Sequence, residues 1–292
     1  MTKKKNFDNR AGYIWLDGKF VKWNQAKIHV LTHGLHYASC VFEGARVYNG
    51  KIFKLIEHTK RLLLSSKILG FKLPYAEKEI NKVCKQIIKK QNIKNGYLRP
   101  FAWRGSEMMA ISAQNTTIHL AIATWEMSTY FDKKKKISGI TLQTSKWMKP
   151  PPNSAPTQAK AAGLYMICTL SKHIAEKNGF DDSLMLDSNG KIAESTGANI
   201  FFVKNNKLFT PIADCFLNGI TRKTVIQLAK KNNIKVIEKR ILPKELLKAD
   251  EIFLTGTAVE ITPISQIDNK KFNVGEITKK LISLFSDLVE KN

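Results

Sequence analysis

The stretch SLMLDSNGKIAESTGANIFFVKNNKLFTP, Ser183–Pro211, decides how the chain folds. It opens with an apolar run, breaks at Asn189-Gly190, and runs on through Ile192 and Ala193 to Glu194. Asn-Gly between two β-prone runs signals a hairpin, because both residues tolerate the positive φ that tight hairpin turns need. From Asn199 the chain returns at once to core-like residues, Ile200, Phe201, Phe202 and Val203, and the run to Pro211 reads as a second hairpin. The resulting sheet carries one carboxylate, Glu194, at the end of an apolar strand. Such a group is either a surface residue or the partner of a buried cation.

Reading onward, NGITRKTVIQLAKKNN opens a helix at about Thr221, IKVIEKRIL is a strand, and PKELLKAD is a short helix with Pro243 near its start. EIFLTGTAVEITPISQID gives two strands joined at the Gly256 turn, and a last amphipathic helix runs from about Gly275 to Glu290. Reading back, ITLQTSKWM is a strand, and KPPPNSAPTQ is neither helix nor central strand because of its prolines. A helix over Tyr165–Asn178 follows, stopped by Gly179. The first part has hairpins on Asp17-Gly18 and Asn49-Gly50, helices over Glu57–Leu69 and Tyr75–Gln91, and β-rich GYLRPFAWRG and TIHLAIATWEM. STYFDKKKKISG lacks a core pattern. The expected organisation is therefore a small α+β domain over residues 1–130, a linker at 131–137 and a larger domain over 138–292.

At 43% hydrophobic residues the 292-residue chain can bury a large core and is not a disordered protein. Its longest apolar stretches are too short to span a bilayer, and MTKKKNFDNR lacks the apolar core of a signal peptide, so a cytoplasmic location is expected. Cys40, Cys84, Cys168 and Cys215 are far apart with no Cys-x-x-Cys, which points to neither a metal site nor a disulfide framework. Forty-eight Lys and Arg against 24 acidic residues leave a formal charge of +24. A basic nucleic-acid-binding protein is one reading of that charge. The lysines, however, fall on solvent faces without an accompanying recognition motif, which favours a compositional bias toward Lys, Asn and Ile.

Lys160 is different. It is the only charged residue between Pro150 and Ser171, set in PTQAKAAGLYMIC among alanines and a glycine. Small neighbours leave room for something flat against the backbone, and an amine kept from water loses its proton more readily and becomes a nucleophile and base. Two segments offer anion sites: Gly219, Ile220 and Thr221 at a helix N-terminus, and Thr255, Gly256, Thr257 and Ala258 in a tight turn. Arg61 stands out on an otherwise apolar helical face. A lysine nucleophile, a carboxylate for a pyridinium nitrogen and sites for a phosphate and a carboxylate describe a pyridoxal-phosphate enzyme.

The order and spacing of Glu194-Ser-Thr-Gly-Ala-Asn199-Ile-Phe201, Leu208-Phe-Thr210 and Leu217-Asn-Gly219-Ile-Thr221-Arg222 resemble the class IV aminotransferases of fold type IV. HGLHYASCVFEGARVY, GYLRPF, QAKAAGLY and TGTAVEITP resemble the branched-chain amino-acid aminotransferases among them, over nearly the whole length. The resemblance implies a mixed α/β fold with a barrel-like core in the larger domain. It also implies pyridoxal 5'-phosphate held as an imine on Lys160, and an amino group moved between Leu, Ile or Val and 2-oxoglutarate. By the same resemblance Glu194 keeps the pyridine nitrogen protonated and Tyr165 meets the ring hydroxyl, while Arg61, Ile220, Thr221 and Thr257 hold the phosphate. Tyr97, Thr257 and Ala258 would take the substrate α-carboxylate. Phe42, Tyr37, Trp125 and Tyr130 would line an apolar pocket, and Arg99 would meet the distal carboxylate of glutamate. No metal is implied, and at least a dimer is expected, with residues near Tyr37 reaching the neighbouring subunit's site.

Three positions depart from the resemblance. Ala198 stands where Glu is common, Leu164 where Asn is frequent, and no glycine-rich loop surrounds Glu107-Met108-Met109. These bear on specificity and leave Lys160 and Glu194 untouched. D-amino-acid aminotransferase and aminodeoxychorismate lyase share the lysine and the glutamate, and rank below the branched-chain reading because of YLRP and TGTAVEITP. A scaffold that holds cofactor without turning over is a further alternative.

Overall fold

The computed structural model describes residues 6–291. The chain divides into two compact units, Met1–Ser128 with Ala159–Gly163, and Thr129–Gln158 with Leu164–Asn292. The short piece holding Lys160 thus packs with the first unit, whereas the sequence reading puts it in the second domain.

The first unit contains β1 (Tyr13–Leu16), β2 (Lys19–Lys22), α1 (His33–Tyr37), β3 (Cys40–Phe42), β4 (Ala45–Tyr48), β5 (Lys51–Ile52), α2 (Leu55–Ile68), α3 (Glu77–Lys90), β6 (Gly96–Arg104) and β7 (Ile118–Glu126). Its sheet is antiparallel in the order β2-β1-β7-β6-β4-β5, with β3 also on β6. The Asp17-Gly18 and Asn49-Gly50 turns have positive φ at both residues, as the sequence required. Leu62 of α2 and Ile80, Cys84 and Ile87 of α3 pack on Val47, Leu98, Leu120 and Ile122 of the sheet. Pro100 sits inside β6, where a missing N–H would ordinarily break the ladder. Here the gap falls between β4, which pairs up to Leu98, and β3, which pairs from Phe101. The Pro100 carbonyl instead accepts the Glu43 N–H at 2.8 Å.

The second unit contains α4 (Lys133–Ser138), β8 (Ile140–Thr144), α5 (Met166–Lys177), β9 (Asp182–Leu186), β10 (Ile192–Ser195), β11 (Asn199–Lys204), β12 (Lys207–Pro211), α6 (Ile220–Lys231), β13 (Val236–Lys239), α7 (Pro243–Leu246), β14 (Glu251–Gly256), β15 (Glu260–Ile267), β16 (Lys270–Lys271) and α8 (Glu276–Glu290). The order β10-β9-β8-β15-β14-β11 closes on itself because β10 also pairs with β11, which makes a barrel. Ile140, Leu142, Leu184, Ile200, Phe202, Leu254 and Ile264 form its apolar core. Phe201 and Phe253, of opposite strand parity to that core, stack at 5.2 Å.

Residues 131–137, expected to be a linker, carry α4 instead. Asp132 caps it by accepting the Lys135 N–H at 2.8 Å, and the lysines find partners, Lys135 with Asp181 and Lys136 with Glu260. The four-lysine run hid a helix in which two of the lysines, Lys135 and Lys136, are answered by acids distant in sequence. Arg222 fixes the start of α6. It is 1% exposed, and its guanidinium donates to the Pro211 carbonyl at 2.8 Å, Asn218 Oδ1 at 3.0 Å and Glu238 Oε2 at 2.6 Å.

Candidate active site

In the first unit, the Lys160 segment is held by its backbone. Its N–H donates to Ser65 Oγ at 3.0 Å, its carbonyl accepts the Phe42 N–H at 3.1 Å, and Ala161 forms an antiparallel bridge with Val41. With both peptide groups committed, the direction of the side chain is set, and Nζ lies 4.8 Å from the centre of the Phe42 ring. The same ring faces the Arg99 guanidinium at 4.7 Å. Arg99 also lies over Tyr97 at 5.3 Å, two residues away and therefore on the same face of β6. Trp125 is the cross-strand partner of Tyr97, with rings 5.2 Å apart. Lys160, Phe42, Arg99, Tyr97 and Trp125 thus form one group. Arg99 Nε is buried with no hydrogen-bond partner among the described residues. Tyr37 stands on α1, 45% exposed and stacked on His33 at 4.6 Å.

Arg61, on α2, is ion-paired with Glu43. Its Nε and Nη2 donate to the two oxygens of Glu43 at 2.5 and 3.0 Å, and His58 Nδ1 lies 2.6 Å from Glu43 Oε2. Burial would push the Glu43 carboxyl up, but Arg61 and His58 outweigh it and hold it well below the usual carboxylate range.

In the second unit, Glu194 owes its direction to a β-bulge. Ile192 faces the barrel core, and a residue two positions on would ordinarily share that face. The register shifts between Ile192 and Glu194, so Glu194 pairs with Asn199, which has the parity opposite to Ile200 and Phe202. The carboxylate is thereby turned off the apolar core. It is 7% exposed and both oxygens have partners: Lys149 Nζ at 2.8 Å on Oε1 and Asn199 Nδ2 at 2.9 Å on Oε2. Lys149 is the buried cation that the sequence reading allowed for but did not find. Burial works against its charge and Glu194 overcomes this, so its pKa is raised.

Asn199 connects this acid to the expected phosphate site. Its Nδ2 also donates to the Leu217 carbonyl at 3.1 Å, and its Oδ1 accepts the Gly219 N–H at 3.1 Å. Gly219 is the N-cap of α6, and no side chain caps that helix end. A Cβ on Gly219 would lie 2.3 Å from Asn199 Oδ1, which explains the glycine. Ile220 and Thr221 follow at the helix start, where N–H groups and the helix dipole suit an anion. Asn199 also pairs across strands with Thr255, whose buried Oγ1 has no hydrogen-bond partner among the described residues. Thr257 and Ala258 lie in the turn that follows, between β14 and β15. Tyr165 ends the short 3₁₀ turn Ala162–Tyr165 and is the N-cap of α5. Tyr130 is exposed, with its ring edge-on to Phe131 at 5.0 Å.

A buried, charge-paired carboxylate, a helix start with no side-chain cap and an orphaned hydroxyl on the neighbouring strand fit the ring nitrogen and phosphate of pyridoxal phosphate. Sequence reading missed Lys149, Glu43 and His58. The available signals were a lysine ending a strand run directly before three prolines, and an acid between Phe42 and Gly44 that could answer Arg61.

Residues 40–267 match the model of the amino-transferase class IV family. A probable branched-chain-amino-acid aminotransferase of Rickettsia felis is 44% identical over 284 residues, covering 96% of each chain. The crystal structure of the Escherichia coli branched-chain amino acid aminotransferase superposes with a TM-score of 0.94 at 36% identity, covering 97% of this chain and 96% of that one. The structure of another branched-chain amino acid aminotransferase, complexed with N-(5'-phosphopyridoxyl)-L-glutamate, gives 0.91 at 36% identity, covering 97% and 95%. The family match, the identity to these relatives and the closely superposing fold together show that the chain belongs to the class IV aminotransferases of fold type IV, in the branched-chain amino-acid aminotransferase family.

Proposed function

We propose that this enzyme moves an amino group between the branched-chain L-amino acids Leu, Ile and Val and 2-oxoglutarate, using pyridoxal 5'-phosphate attached covalently at Lys160. The observation that carries the reading is Glu194, buried, charge-paired and tied through Asn199 to the N-terminus of α6. It supports one carboxylate serving a ring nitrogen and one helix end serving a phosphate.

Bound there, the cofactor supplies a sink for the electrons left at the substrate α-carbon. The protein's residues do the rest. Lys160 would hold the cofactor through its amine, and the same amine, when free, would move the proton at the substrate α-carbon. Glu194 holds a proton at the ring nitrogen. Tyr165 would meet the ring hydroxyl. Arg61, Ile220, Thr221 and Thr257 hold the phosphate, with Glu43 fixing how Arg61 is presented.

Tyr97, Thr257 and Ala258 orient the substrate carboxylate, and Phe42, Tyr37, Trp125 and Tyr130 meet the apolar side chain. The placing of Arg99 on two aromatic faces supports its double duty. A flat cation stacked on rings tolerates an apolar neighbour while keeping its charge for a distal carboxylate. The phosphopyridoxyl-glutamate complex of the solved relative supports the second substrate. We place the enzyme in the cytoplasm as at least a homodimer. No helix among the described residues is long and apolar enough to cross a membrane.

Borohydride reduction of the cofactor-loaded protein, followed by peptide mass mapping, tests the attachment. The label is expected on Lys160, and Lys160→Ala is expected to lose both the label and leucine-dependent glutamate formation. A label on another residue, or full turnover by the variant, would overturn the reading.

A further inference from the structure

We infer that Lys149 is a positioning residue for Glu194, one that keeps the shared proton on the cofactor's ring nitrogen and off the carboxylate. The inference rests on the function proposed above and adds to it a residue with no assigned role.

The geometry begins with the backbone. The Lys149 N–H donates to the Leu186 carbonyl at 2.8 Å, and Lys149 forms a parallel bridge with Asp187. Pro150, Pro151 and Pro152 follow directly, so the chain leaves the bridge along a stiff path. The side chain is 7% exposed, and its ammonium reaches Glu194 Oε1 at 2.8 Å. The other near group, Cys168 Sγ at 3.7 Å, belongs to a thiol that burial keeps protonated. Glu194 is therefore the anion that answers Lys149.

A surface pair of this kind would do little, because water screens it. Here both partners are buried, and the charge acts in a low-dielectric setting. A cation in direct contact with a carboxylate favours the ionised acid over the protonated one. Asn199 pushes the same way from Oε2, because an amide N–H donates more strongly to an ionised oxygen. When a carboxylate and a pyridine nitrogen compete for one proton, lowering the acid's proton affinity sends the proton to nitrogen. Lys149 touches the carboxylate itself, so it acts more on the acid than on whatever the acid holds. Without it, that preference weakens, and with it the electron-accepting power of the ring.

The test uses the full-length enzyme loaded with pyridoxal phosphate labelled with nitrogen-15 in the ring. The ring-nitrogen chemical shift separates pyridinium from pyridine. The parent and Lys149→Arg are expected to give the pyridinium signal. Lys149→Met is expected to move it toward the pyridine position and to weaken cofactor binding about tenfold, the scale of one charge-assisted contact. Lys149→Gln returns a neutral donor to Oε1 and carries the same test should the methionine variant fail to fold. It too is expected to shift, whereas a merely structural role would be rescued by it. A pyridinium signal in folded Lys149→Met or Lys149→Gln overturns the inference alone. A parent that binds no cofactor, or binds it with an unprotonated ring, overturns the proposed function.

Discussion

Arg61 grips Glu43 with two parallel hydrogen bonds, Nε to Oε1 and Nη2 to Oε2, and Glu43 has no exposed surface. His58 completes the cluster against Oε2. Removing one partner of such a buried pair costs about 3–5 kcal/mol, because the other is left charged and unanswered.

Acidity should find this cluster first. Burial lowers the pKa of His58 from the ordinary 6.5; Glu43 pulls the other way, and the positive charge of Arg61 reinforces the lowering. Glu43 is also held below its ordinary 4.5. For both groups the unfolded chain takes up protons before the folded one does, so stability falls as pH falls. The His58 share is intact above 6.5 and drains away below it, and the Glu43 share follows below 4.5. The thermal midpoint is expected to drop between about pH 7.5 and about pH 5.5, and His58→Gln should flatten that drop. An equally steep fall in the variant would take His58 out of the explanation.

Much of this architecture was legible locally. Asp17-Gly18 and Asn49-Gly50 marked hairpins because the needs of a two-residue turn are written in those residues, whereas at Asn189-Gly190 only Gly190 takes positive φ and the hairpin loop runs from Leu186 to Ile192. Glu194, Asn199 and Gly219 were marked by their spacing, and the structure gives its reason: one asparagine side chain spans all three. Thr210 and Arg222 are joined in the same way, since Arg222 Nε donates to Thr210 Oγ1 at 3.3 Å. What stayed hidden depends on partners distant in the chain. Lys149 meets Glu194 only once the strands are in register, Glu43 meets Arg61 only when α2 packs on its sheet, and α4 needs Asp181 and Glu260 to answer its lysines.

Gly44 gives a test of the substrate side. A Cβ there would lie 1.8 Å from Tyr97 Oη, so Gly44→Ala must displace the phenol. Overpacking of this kind costs about 1–3 kcal/mol, which a domain of this size can absorb. With Tyr97 misplaced, KM for leucine is expected to rise about tenfold while the cofactor absorbance stays as it was. An unchanged KM in the folded variant would remove Tyr97 from the carboxylate site.

Arg99 offers the sharpest discrimination between substrates. Its guanidinium rests on Phe42 and Tyr97, and its buried Nε has no hydrogen-bond partner among the described residues. A hydrogen bond to a charged group contributes about 1.5–3 kcal/mol, so Arg99→Ala should lower kcat/KM for glutamate by about ten- to a hundredfold. Leucine has no distal charge and should lose only the packing share, a few-fold. Arg99→Lys keeps the charge without the planar fork and should recover glutamate only in part. Paired measurements of kcat/KM for the two amino acids decide the matter. Equal losses for both would mean that Arg99 shapes the pocket through its stacking and does not read the second carboxylate.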